Sequence, residues 1–118
     1  MSPGPQRPRY EVIPGNEVLA DVAALAAYGQ EVVAAATSTI DDLAHGRVVG
    51  KNLGQRHVSG NLTGFARVKF DVPGTRPPRF RLVYRQVDQG NREIVAIGSR
   101  DEHAIYSVAV RRLAGGGS

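Results

Sequence analysis

Arg67 and Lys69 stand two residues apart in a stretch with strand character, and Arg79, Arg81 and Arg85 share one alternation of the next such stretch. Side chains in a strand alternate faces with period two. The spacing therefore predicts Arg67 and Lys69 on one face, with Ala66, Val68 and Phe70 on the other. Likewise Arg79, Arg81, Val83 and Arg85 point one way, and Phe80, Leu82 and Tyr84 the other. If the two strands pair, one sheet face is an apolar core and the opposite face a small cationic platform. A solvated sheet face normally mixes signs, yet this one carries almost no acid before Asp71. The expected partner is a polyanion, with RNA the leading candidate. Arg100 and Tyr106, at the mouth of a predicted C-terminal helix, belong to the same set.

Such residues suit RNA cleavage by the RNA's own 2′-hydroxyl, which needs a base, a charge stabiliser and an acid. Arginine is effectively always protonated and cannot be the base. Arg81 and Arg100 fit better as clamps on the phosphate charge that grows in the transition state. Lys69 can lose a proton if neighbouring arginines depress its pKa, so it is the base candidate or an electrostatic helper. Tyr106 could stack on a splayed base or donate a hydrogen bond. His103 is a secondary acid–base candidate. Arg67, Arg79 and Arg85, with Lys51 and Arg56 in the basic segment before them, would hold the RNA strand.

Each residue also has a purely structural reading. Arg67 and Lys69 could form an ordinary solvated strand face. Arg81 or Arg100 could pair with Asp71, Asp101 or Glu102. Tyr106 could anchor a helix, and His103 could be an exposed helical residue. Asp101 and Glu102 suit a helix N-cap and first turn.

A chain of 118 residues is expected to form one domain. There is no cysteine, which excludes a disulfide frame, cysteine-ligated metal and a thiol nucleophile. His45, His57 and His103 are too scattered for a structural zinc, and neither metal nor cofactor is expected. No apolar run approaches the ~20 residues that span a bilayer, so no membrane role is expected and the expected compartment is the cytoplasm. Net charge is +4, and 13 of the 15 basic residues are arginine. Arginine favours bidentate phosphate contacts, although a GC-rich genome would raise arginine as well.

Residues 1–8 read as a flexible N-terminal tail, 9–113 as the domain, and 114–118 as a Gly-rich tail or linker scar. Within 9–113 the pattern predicts a strand at 9–13 and a helix from an Asn16 N-cap to Tyr28. Val18, Leu19, Val22, Leu25 and Ala26 form the buried face of that helix. A second helix runs over 30–44 with Val33, Ala36, Ile40 and Leu43 inward and Gly46 as its C′ residue. Residues 46–61 read as a Gly-rich loop. Strands follow at about 62–71, 79–87 and 92–98, then a helix at about 101–113. The expected class is α+β, in the order β-α-α-β-β-β-α. It has a small, mostly antiparallel sheet packed against a helical pair.

Residues 64–106 resemble the RelE branch of the RelE/ParE toxin superfamily. Phe80-Arg81-Leu82-Val83-Tyr84 is similar to that family's aromatic-Arg-Leu-Val-Tyr strand. Ala96-Ile97-Gly98-Ser99-Arg100, with Tyr106 six residues on, is similar to its Gly-x-Arg…Tyr pattern. Leu62-Thr63-Gly64-Phe65, followed by Arg67 and Lys69, is similar to the strand that brings in two basic residues. The resemblance implies a RelE-like fold and a type II toxin that cleaves mRNA, often on the ribosome. It also implies a cognate antitoxin, with a toxin–antitoxin hetero-oligomer. By motif position Arg67, Lys69, Arg81, Arg100 and Tyr106 fall on the family's functional sites. Arg67 stands where lysine is common, and the loop 71–78 looks longer than usual. The competing expectations are a ParE-like or inactive member that grips a protein such as a DNA topoisomerase, and an RNA-binding module without turnover.

Overall fold

The computed structural model describes residues 8–56, 60–99, 105 and 108–112, with backbone only at 54–56 and 60–63. Strand β1 (Glu11–Pro14) leads into helix α1 (Val18–Ala24), which tightens into a 3₁₀ turn (Leu25–Tyr28) and is broken by Gly29 at φ 117°. Helix α2 follows (Gln30–Ala44), then β2 (Lys51–Arg56), β3 (Gly60–Phe70), β4 (Phe80–Asp88) and β5 (Asn91–Ser99). Ile105 and residues 108–112 are helical and form α3. The five strands make one sheet in the order β1-β5-β4-β3-β2, antiparallel except for the β1–β5 pair.

The expected α+β class and helical pair are present, with two corrections. The segment read as a loop contains β2, which pairs with β3 along Lys51↔Arg67 and Asn52↔Ala66. Its glycines hid it, but they serve packing. A Cβ at Gly50 would meet the Arg67 carbonyl and the Tyr84 ring, each at 2.8 Å. The Gly50 N–H donates instead to the Tyr84 hydroxyl at 3.0 Å. The second correction is at the start of α1, where Glu17 and not Asn16 is the N-cap, without a side-chain capping bond. At the other end of the helical pair the expectation holds. Gly46, at φ 69°, donates to Leu43 O and Arg47 N–H to Asp42 O, the Schellman closure that satisfies the last carbonyls of α2.

Two apolar layers flank the sheet. On one face Val18, Leu25, Val32, Ala36 and Leu43 of the helical pair pack on Val68, Phe70, Phe80, Leu82, Tyr84, Ile94 and Ile97. Leu19 and Ala26, assigned to the buried face of α1, are exposed, because the inner stripe runs Val18–Val22–Leu25 and each lies one residue, about 100°, off it. On the other face Ile105 and Ala109 of α3 pack on Leu53, Phe65, Val83, Val95 and Ala96. That face is therefore not the bare platform the alternation predicts. It is half covered by α3, and its basic residues lie beside a second core.

Candidate functional site

Strand pairing brings the basic residues into two adjoining rows. One row runs Lys51–Arg67–Val83–Ala96 across β2, β3, β4 and β5, and the next runs Lys69–Arg81–Gly98. Directly opposed residues share a face with Cβ atoms about 5 Å apart, so four cations converge on one end of the sheet. Lys51 and Lys69 are exposed and Arg67 is half-buried. Arg81 is only 6% exposed. Its Nη1 donates to the Phe80 carbonyl at 2.9 Å and the Pro78 carbonyl at 3.1 Å. Those bonds aim the guanidinium. Among the described residues no carboxylate lies within salt-bridge reach of Arg81 or Lys51.

The remaining predicted residues divide. Arg79 precedes β4 and leaves the row, with its guanidinium 5.1 Å from the Phe80 ring centroid. It is held by Asp71 through Nε at 2.8 Å and Nη2 at 2.9 Å. Those bonds hold the Asp71 carboxyl well below the usual carboxylate range. Burial opposes the shift, while the backbone N–H groups of Arg79 and Val72 reinforce it. Arg85 sits further along the Arg81–Val83 face and donates to Glu93 at 2.6 Å. The structure thus gathers Lys51, Arg67, Lys69 and Arg81 and commits Arg79 and Arg85 to carboxylates. The backbone of Arg56 ends β2, and its side chain lies outside the described residues, as do Arg100, His103 and Tyr106.

Arg92 was not foreseen as special. It is 5% exposed, with its guanidinium 3.7 Å from the Tyr10 ring centroid and donating to Leu43 O and Gln86. It closes the end of α2 on the helical side, away from the basic rows.

A five-stranded sheet with a helical pair on one face and basic rows beside a helix on the other defines the class of small toxins. Over residues 12–104 the sequence matches the family described as "ParE toxin of type II toxin-antitoxin system, parDE". The chain belongs to this family, within the RelE/ParE superfamily, and is the toxin of a type II toxin–antitoxin system. The fold is similar to that of a double mutant of the Escherichia coli toxin RelE in the free state. The TM-score is 0.60 at 17% identity, covering 89% of this chain and 98% of that one. Among curated proteins none matches this sequence.

Proposed function

We propose that this toxin is an endoribonuclease that cleaves mRNA bound to the ribosome, by attack of the 2′-hydroxyl on the adjacent phosphate. The observation that carries this reading is Arg81, a nearly buried guanidinium with no carboxylate in salt-bridge reach among the described residues, set beside Lys69 in the same row. A preorganised cation of this kind is worth most against charge that develops during reaction. In this role Arg81 clamps the phosphate, Lys69 moves the proton or supplies charge, and Arg67 and Lys51 hold the strand. Arg100, Tyr106 and His103 are further candidates for clamp, base stacking and proton transfer.

The cognate antitoxin that family membership implies would silence this activity by covering the basic rows, so its contacting segment is expected to be acidic. Induced expression with mapping of RNA ends tests the reading. Fragmented mRNA with 5′-hydroxyl ends is expected. Ends carrying 5′-phosphate would refute 2′-hydroxyl attack. A second reading is favoured by the matching family description, which is that of ParE. On that reading the toxin grips a protein such as a DNA topoisomerase, and growth stops with mRNA intact.

A further inference from the structure

Helix α3 is tied to the sheet by a bond network outside the basic rows. Strand β5 carries a bulge, since Ala96 opposes Val83 while Ile94 opposes Tyr84, which leaves Val95 as the extra residue. Val95 and Ala96 both pack in the core under α3. The bulge shifts the phase of the backbone just where β1 stops, at Pro14↔Ile94. Gly15 N–H takes the Ile94 carbonyl, and beyond it the β5 edge would be open. Unpaired edge groups at this depth are costly.

Two side chains close that edge. Ile97 N–H donates to Asp21 Oδ2 at 3.0 Å, and Arg112 Nη1 donates to Val95 O at 3.0 Å. The two side chains also bind each other in a fork, with Nη1–Oδ2 at 2.7 Å and Nη2–Oδ1 at 2.9 Å. Glu17 adds a contact to Arg112 Nε at 2.6 Å. Glu17 and Asp21 flank and occupy α1 on one side of the sheet, whereas Arg112 comes from α3 on the other. The network therefore clasps both layers around the sheet edge. Charge-assisted, bidentate bonds of this kind fix geometry as well as adding energy.

The clasp bears on the basic rows through Ile105. A Cβ at Gly98 would meet Ile105 Cδ1 at 3.1 Å, so α3 lies directly on Gly98. Gly98 is the cross-strand partner of Arg81. Ile105 thus covers the cross-strand neighbour of Arg81, where excluding water would strengthen the hold of a nearby guanidinium on an anion.

We infer that Asp21 and Arg112 are positioning residues, which seat α3 so that Ile105 covers Gly98, the cross-strand neighbour of Arg81, and the cleavage step runs at full rate. The inference rests on the ribonuclease reading, so its test has two readouts. One is kcat and KM for cleavage of ribosome-bound mRNA by purified toxin. The other is the maleimide labelling rate of Ala109→Cys, a single thiol at a position that is 0% exposed on the inner face of α3. If Ala109→Cys does not fold, hydrogen exchange of the 108–112 amides replaces it.

Arg112→Ala and Asp21→Ala are each expected to lower kcat about tenfold with KM little changed, as for an interaction made only in the transition state. Both should speed labelling. Asp21→Asn keeps an oxygen for Ile97 N–H and should fall between Asp21→Ala and wild type. The double variant should be no worse than the worse single, because both remove one clasp. Unchanged kcat with unchanged labelling would overturn the inference, as would losses that add in the double variant or fall on KM alone. A wild type that cleaves no RNA, with faster labelling in the variants, would retain the clasp as an anchor and refute the ribonuclease reading.

Discussion

Replacing Asp71 with alanine is expected to cost about 3 kcal/mol, through backbone more than charge. The chain leaves β3 at Phe70 and returns at Phe80, and the Asp71 side chain, 2% exposed, knots the ends of that loop. Oδ1 accepts the Val72 N–H at 2.7 Å, and Oδ2 accepts the Arg79 N–H at 2.9 Å. A part-buried N–H left without an acceptor costs about 1–3 kcal/mol, which falls on Val72, while water can replace the acceptor of the exposed Arg79 N–H at ~1 kcal/mol or less. Arg79 is 46% exposed, so its ion pair is screened by water and left out of the sum. The sum corresponds to a fall of about 10–20 °C in Tm for a domain of this size. Because the folded pKa of Asp71 lies below the unfolded value of ~3.9, its ionic stabilisation is fully present above that value. It fades as pH falls below the unfolded value toward the folded one. Urea melts of wild type and Asp71→Ala should therefore differ most at neutral pH, with the gap narrowing in acid. A loss below ~1 kcal/mol at pH 7, or a gap that widens as pH falls, would refute the reasoning.

Gly50→Ala must push apart β2, β3 and the Tyr84 ring, and should destabilise by about 1–3 kcal/mol in a thermal melt. Arg81→Ala should lose roughly 100- to 1,000-fold in cleavage rate; because Arg81 is nearly buried, the comparison is made below the melting temperature of the variant. If Lys69 moves a proton, Lys69→Arg should lose nearly as much rate as Lys69→Ala. Near-normal turnover in Lys69→Arg with a dead Lys69→Ala would leave Lys69 only a charge, and His103 becomes the residue to test.

The elements carrying strong periodicity were legible in the sequence. Helix α2 over 30–44 coincides with its expected bounds, and the Gly46 ending is written in a residue that tolerates φ 69°. Alternation placed β3, β4 and β5 within two residues and separated Phe80, Leu82 and Tyr84 from Arg81 and Val83. Strand β2 was not legible, because the close approach that demands Gly50 depends on Tyr84, 34 residues away. The clasp was hidden for the same reason, since Asp21 and Arg112 are 91 residues apart and meet only because β5 bulges where β1 ends. Alternation also cannot tell a covered face from a bare one, so the second core beneath α3 read as open platform.

The arginine count alone argues little for a polyanion, because most described acids near the sheet are already matched. Asp71 takes Arg79, Glu93 takes Arg85, and Glu17 with Asp21 takes Arg112. Asp41 and Asp42 take Arg47 at the end of α2. Arg92 is spent on a carbonyl, a glutamine and the Tyr10 ring. The exposed Arg47 pairs contribute little. Arg81 is different, because a nearly buried cation that has two backbone carbonyls and, among the described residues, no carboxylate in reach is a cost to the fold. A fold carries such a cost where an anion recovers it, and Lys69 in the same row, with Arg67 and Lys51 in the next, makes that anion extended and multiply charged. Location, and the lack of a counter-charge among the described residues, rather than composition, therefore carry the proposal of an RNA substrate.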